Sequence, residues 1–104
     1  MILITGGLGY LGGRIAKHLI HHQESKVKVS TRKNIMSLPS DISKAEVIQM
    51  DLCNKEDISN ACKKTDIIIH LAAMNYSESL ADPERANLVN NLATKDLLEA
   101  AIKS

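Results

Sequence analysis

All five glycines of this 104-residue chain fall within Thr5-Gly6-Gly7-Leu8-Gly9-Tyr10-Leu11-Gly12-Gly13. The run follows the apolar Ile2-Leu3-Ile4 and precedes a stripe of apolar residues at helical spacing. A chain that begins this way is constrained at once: a buried strand must stop, turn sharply, and pass directly into a helix. Glycine there permits the turn, lets a ligand reach the main chain, and lets the helix start pack on the strand, while the helix N-terminus offers free N–H groups and positive potential. Two spacings are met together, Gly7-x-Gly9-x-x-Gly12 and Gly6-x-x-Gly9-x-x-Gly12. Both point to a dinucleotide pyrophosphate. A mononucleotide P-loop is excluded, because Gly13 and Arg14 stand where Lys and Ser or Thr are required. The other reading of the glycines is a tight strand-to-helix turn and nothing more.

The rest of the chain alternates short apolar runs with helix-period stretches, the order of β-α-β units around a parallel sheet. Leu11, Ile15 and Leu19, widened by Ala16 and Ile20, predict a helix from Tyr10 to about His22. Lys26-Val27-Lys28-Val29-Ser30 alternates with period two and predicts a second strand, more exposed on one side. A polar stretch containing Pro39 is too broken for a long helix; Ala45 to Met50 reads as a third strand. Asn54 caps a short helix with Asp57 in its first turn, Ile58, Ala61 and Cys62 inward, and an end near Lys63 and Lys64. Asp66 to Ala73 holds the longest β-branched run, a fourth strand. Met74 to Ala81 reads as a polar loop, and Asp82-Pro83-Glu84 opens a helix that runs through Val89, Ala93, Leu97 and Ala100 to the end.

Composition narrows the function. Thirteen Lys and Arg against twelve Asp and Glu give a net charge of +1, which argues against nucleic-acid and polybasic membrane partners. Without Phe or Trp the core is aliphatic. Cys53 and Cys62 lack metal-site spacing and a base partner, and fit reduced thiols of a cytoplasmic protein. No apolar run reaches the ~18 residues of a membrane span. His18 and His22 are spaced for a metal, but nothing converges on them, and imidazoles suit a helix C-terminus.

The glycine turn, Asp51-Leu52, His70-Leu71-Ala72-Ala73, Asp82-Pro83 and Asn90-x-x-Ala93-Thr94-x-x-Leu97-Leu98-Glu99-Ala100-Ala101 together resemble the extended short-chain dehydrogenase/reductases, and more narrowly the N-terminal half of an NAD-dependent epimerase/dehydratase. The resemblance covers the whole chain in order; Ala93 stands where the family usually has glycine. It implies a Rossmann-type parallel sheet with helices on both faces and strand order 3-2-1-4, one partial NAD(P)-binding domain over residues 1–104. It further implies that Gly6, Gly9 and Gly12, with the main chain of Tyr10 and Leu11, hold the pyrophosphate. Asp51 and Leu52 would hold the adenine, Leu71, Ala72 and Ala73 would line the path to the nicotinamide ribose, and Asn90 would support the active site. Each has a plainer alternative: Asp51 as a turn residue, the alanine pair as packing, Asn90 as a solvated helix residue.

The end of the second strand reads Ser30-Thr31-Arg32-Lys33, with two cations and no acid where an NAD-binding chain carries one. Arg32 with its neighbours therefore favours NADP over NAD, the alternative being a solvated loop. The family's Tyr-x-x-x-Lys is missing, since Tyr10 is followed four residues on by Arg14 and Tyr76 by Leu80. The expectation is thus the cofactor half of a longer epimerase, dehydratase or reductase of a nucleotide sugar, whose catalytic residues and substrate region lie beyond Ser104. The rival is a non-catalytic dinucleotide-binding or interaction module complete at residue 104. Truncation after residue 104 would leave strand four an open apolar edge, through which residues 1–104 alone are expected to form a homodimer or to aggregate.

Overall fold

The computed structural model describes residues 1–22, 26–32 and 44–104. Lys33 and the stretch around Pro39 lie outside the described residues. Four parallel strands, β1 (Ile2–Thr5), β2 (Val27–Thr31), β3 (Glu46–Gln49) and β4 (Ile67–His70), form one sheet in the order β3-β2-β1-β4. β1 is central: Ile4 pairs with Val29 on one side and with Ile69 on the other. Its alternation divides the interior. Ile4 packs with Val27, Val29 and Ala16 beneath α1 (Tyr10–His22), while Leu3 packs with Ile58, Cys62, Val89 and Leu97 beneath α2 (Lys55–Cys62) and α5 (Ala93–Lys103). This is the Rossmann-type arrangement, with helices on both faces.

The second strand departs from its expected half-exposure. Val27 to Ser30 are all buried, Lys28 included at 6% exposed. Its side chain lies against the end of α2, where Nζ donates to the carbonyls of Ala61 at 3.0 Å and Lys63 at 3.1 Å. An alternating Lys-Val pattern counts polar atoms but not the helix C-terminus that receives them. The α2 start is as expected: Asn54 Oδ1 accepts from the N–H groups of Glu56 at 3.0 Å and Asp57 at 3.2 Å. Leu11, counted in the inner stripe of α1, is 54% exposed, and Gly12 and Ala16 are buried in that helix instead.

Two differences lie after β4. The segment expected as a loop contains α3 (Tyr76–Ala81), opened by a capping box in which Asn75 accepts from Glu78 N–H and Glu78 accepts from Asn75 N–H. The final helix starts as predicted, with Asp82 as cap and Pro83 first in α4 (Pro83–Asn87). It is interrupted by a turn of π-helix at Leu88–Leu92, where Ala93 N–H reaches back five residues to the Leu88 carbonyl before α5 resumes. Val89, Ala93 and Leu97 are all buried. Repeated four-residue spacing drifts off one face of an ideal 3.6-residue helix, and a wider turn keeps all three facing inward.

Candidate functional site

The strand order changes direction between β1 and β4, and at the carboxyl ends of these strands lies a cleft of about 270 Å³. Open parallel sheets bind ligands at such a switch point. Its walls are the glycine turn (Gly6, Leu8, Gly9), the end of β2 (Ser30, Thr31, Arg32), Leu52, the segment Leu71-Ala72-Ala73-Met74, and Val89. The sequence-predicted Gly6, Gly9, Arg32, Leu52, Leu71, Ala72 and Ala73 therefore meet at one place.

The turn is built by close contact. Gly6 has φ +68°, a conformation that costs a side chain. Gly12 carries no Cβ because one would lie 2.2 Å from the Gly6 carbonyl oxygen and 2.9 Å from Gly7 Cα. Gly7, absent from the predicted set, is held against β2: its N–H donates to the Ser30 carbonyl at 3.2 Å, and a Cβ would strike Val29. The first helical bond of α1 runs from Gly13 N–H to the Gly9 carbonyl at 2.8 Å, so the N–H groups of Tyr10, Leu11 and Gly12 precede the ladder. Tyr10 and Leu11 themselves line no part of the cleft; Tyr10 is 80% exposed, its ring stacked under the Arg14 guanidinium at 4.4 Å.

Asp51 sits beside Leu52 at the rim, outside the lining. Its Oδ1 accepts from Cys53 N–H at 2.9 Å, as a turn-forming aspartate does, and its own N–H donates to Asp57 Oδ2 at 3.0 Å. Asn90 stands behind the cleft, in the π turn. Its Oδ1 accepts from Met74 N–H at 2.7 Å and its Nδ2 donates to the Met74 carbonyl at 3.2 Å. That two-point clamp fixes the segment leaving β4, so Asn90 shapes the wall through Met74.

A polar chain that sequence reading missed runs behind the same wall. Thr5, fully buried, accepts at Oγ1 from Leu71 N–H at 3.0 Å and Ala72 N–H at 3.2 Å. The same oxygen lies 2.6 Å from His70 Nδ1, and His70 Nε2 lies 3.2 Å from Thr94 Oγ1. Burial holds the His70 pKa below the ordinary imidazole value. The signal was available: Thr5 and His70 end two strands read as neighbours, and a polar residue at such a place needs a partner.

Residues 3–104 match the sequence pattern of the 3-beta hydroxysteroid dehydrogenase/isomerase family. The chain belongs to this family. Within the 3-beta hydroxysteroid dehydrogenase/isomerase family it is of the NAD-dependent epimerase/dehydratase kind, as the motifs had indicated. It is 32% identical over 108 residues to the D-erythronate dehydrogenase of Haemophilus influenzae, covering 99% of this chain and 34% of that protein. It is 32% identical over 112 residues to the dTDP-glucose 4,6-dehydratase of Salmonella typhimurium, covering 98% and 31%. Among solved structures, the UDP-glucose 4-epimerase of Thermus thermophilus in complex with NAD superposes with TM-score 0.82 at 27% identity, over 98% of this chain and 33% of that one. The chain thus spans about a third of the length of the relatives it matches. A short-chain dehydrogenase/reductase superfamily protein from Agrobacterium tumefaciens, solved with bound NAD, superposes with TM-score 0.74 at 30% identity, over 97% of this chain and 28% of that one. Among the described residues no helix is long and apolar enough to cross a membrane.

Proposed function

We propose that this chain is the dinucleotide-binding portion of an epimerase, dehydratase or reductase acting on a nucleotide sugar or related substrate, and that it takes NADP in preference to NAD. The observation that carries the reading is the cleft at the β1/β4 switch point, where the glycine turn, the end of β2 and Leu71–Met74 converge on one space. The residues suit the group. Gly9 leaves open space toward the cleft apart from the Gly6 carbonyl, and the first N–H groups of α1 offer donors and positive potential to a pyrophosphate. Gly6, Gly9 and Gly12 with the main chain of Tyr10 and Leu11 would hold that pyrophosphate. Leu52 would pack on the adenine and Asp51 would accept from its amine. Ala72 and Ala73 leave room for the nicotinamide ribose, and Asn90 acts through Met74. When bound, the nicotinamide supplies a hydride acceptor and donor.

The preference for NADP rests on Arg32, which lines the cleft after Ser30 and Thr31 with no acid beside it among the described residues. Gln49 Nε2 donates to the Arg32 carbonyl at 3.3 Å, anchoring that backbone next to the cleft. A guanidinium on a 2′-phosphate is a charge-assisted pair, here at an exposed position, and contributes about 1 kcal/mol. Equilibrium titration of the chain with NADPH and NADH by nicotinamide fluorescence tests both parts. NADPH should bind several-fold more tightly, and Arg32→Ala should remove that difference while sparing NADH. Equal affinities in the parent chain overturn the preference; no binding of either overturns the reading of the cleft.

A further inference from the structure

We propose that His70 is a positioning residue, which holds the Leu71–Ala72 wall of the cleft in place only while its imidazole is neutral, so that the wall and the ligand site loosen in acid. The effect on the ligand rests on reading the cleft as a dinucleotide site; the effect on the wall does not.

A threonine hydroxyl has two lone pairs and one proton. Thr5 Oγ1 accepts from the N–H groups of Leu71 and Ala72, at 3.0 and 3.2 Å, so its remaining resource is the proton, and the atom facing it at 2.6 Å is His70 Nδ1. Nδ1 is therefore an acceptor. The neutral ring then carries its proton on Nε2, which donates to Thr94 Oγ1 at 3.2 Å, and the Thr94 hydroxyl donates to the Asn90 carbonyl at 3.4 Å. Every member is satisfied in this one tautomer. The chain joins β1, β4 and the π turn, and at its far end Asn90 grips Met74.

Protonation places a hydrogen on Nδ1, aimed at an oxygen whose lone pairs are taken. Thr5 Oγ1 must then release Ala72 N–H, leave Leu71 N–H to the Thr5 carbonyl that also receives it at 3.3 Å, or lose the histidine. Among the described residues no acid pairs with the ring, whose partners are Thr5 and Thr94. The charged groups lining the cavity beside His70 are Asp66, whose carboxylate is held by the Met1 ammonium at 2.9 Å, and the terminal carboxylate of Ser104. On the helices packed over that face, Asp96 pairs with Lys55 of α2, Glu99 pairs with Lys95, and Asp57 receives the Asp51 N–H. The wall is thus coupled to the charge state of a single ring, through bonds that a hydrophobic residue at position 70 would not make.

The test uses the 104-residue chain, isotopically labelled, and its His70→Asn variant, whose Oδ1 takes the Nδ1 place as an acceptor that does not titrate. Long-range proton–nitrogen correlation NMR should show the Nε2–H tautomer. Protection of the Ala72 amide, corrected for intrinsic exchange, should fall roughly tenfold as the ring protonates, at a pH below the ordinary imidazole range. In His70→Asn it should stay level over the same range. Titration with NAD⁺, which lacks the titrating 2′-phosphate, should show affinity falling several-fold with acid in the parent chain and remaining flat in the variant. An Nδ1–H tautomer, or level protection of Ala72 through the His70 titration, overturns the proposal. Should His70→Asn not fold, the tautomer and the protection profile of the parent chain decide alone. If NAD⁺ fails to bind at neutral pH, the dinucleotide reading falls, and the amide measurements still decide the role of His70.

Discussion

Gly12→Ala and Gly13→Ala are neighbouring substitutions in the first turn of one helix, and the structure predicts opposite outcomes. On helix propensity alone each should stabilise, since alanine is better than glycine in a helix by up to about 1 kcal/mol. At Gly13 nothing opposes this, because the nearest atom to an added Cβ, the Gly7 carbonyl oxygen, is 3.7 Å away. At Gly12 the added carbon lies 2.2 Å from the Gly6 carbonyl oxygen and 2.9 Å from Gly7 Cα, both backbone. Relief requires α1 to back away from the turn by about 1 Å, at the upper end of the roughly 1–3 kcal/mol that overpacking costs. The turn cannot yield instead, since Gly6 is itself held against Ala72 and Gly7 against Val29. After the propensity gain, Gly12→Ala should lose about 2 kcal/mol and Gly13→Ala should gain about 0.5 kcal/mol. Urea unfolding followed by far-ultraviolet circular dichroism reads this directly: with a slope of about 1 kcal/mol/M, midpoints should move roughly 2 M down and 0.5 M up. Equal midpoints for the two variants would refute the account of the turn.

Thr5→Val keeps the shape but strands the half-buried N–H of Ala72 and the acceptor on His70, while Leu71 N–H keeps the carbonyl of residue 5; it should destabilise by about 2 kcal/mol in the same assay, and a loss under 0.5 kcal/mol would dismiss the polar chain as unimportant. β4 forms an edge of the sheet, with Ile67 55% exposed on it, so the 104-residue chain should self-associate in sedimentation velocity and Ile67→Lys should weaken that association. A monodisperse monomer at all concentrations defeats this expectation.

Strand and helix positions were legible in the sequence because each rests on a local signal: the β-branched run at Ile67-Ile68-Ile69, the Asn54 cap, the Asp82-Pro83 start. The strand order was legible only through the family motifs, since nothing in Ile2-Leu3-Ile4 says which partners flank it. The errors have physical causes. Lys28 appeared as an exposed residue because its partners, the carbonyls of Ala61 and Lys63, lie 33 and 35 residues away. Met74 to Ala81 looked like a loop because its polar composition hid the Asn75-x-x-Glu78 capping box, which does not need an apolar stripe. The π turn follows from fitting Val89, Ala93 and Leu97 against a face that only the folded chain defines. Of the candidate site, the main-chain elements were the readable part. The Thr5–His70–Thr94 chain joins residues 65 and 24 positions apart, beyond the reach of any local pattern.

The central place of β1 also has a consequence in time. Its residues are synthesised before those of the other three strands, yet Ile2 pairs with Ile67 and Thr5 with His70. At ribosomal speeds of ~5–20 residues per second, the last partner appears roughly 3–13 s after the first strand. Throughout that interval Leu3 and Ile4, destined to be wholly enclosed, have β2, α1 and, towards its end, α2 beside them, but neither β4 nor α5. The newborn chain therefore carries its most apolar strand half-paired, during the period when trapping by a chaperone or by another nascent chain would matter most.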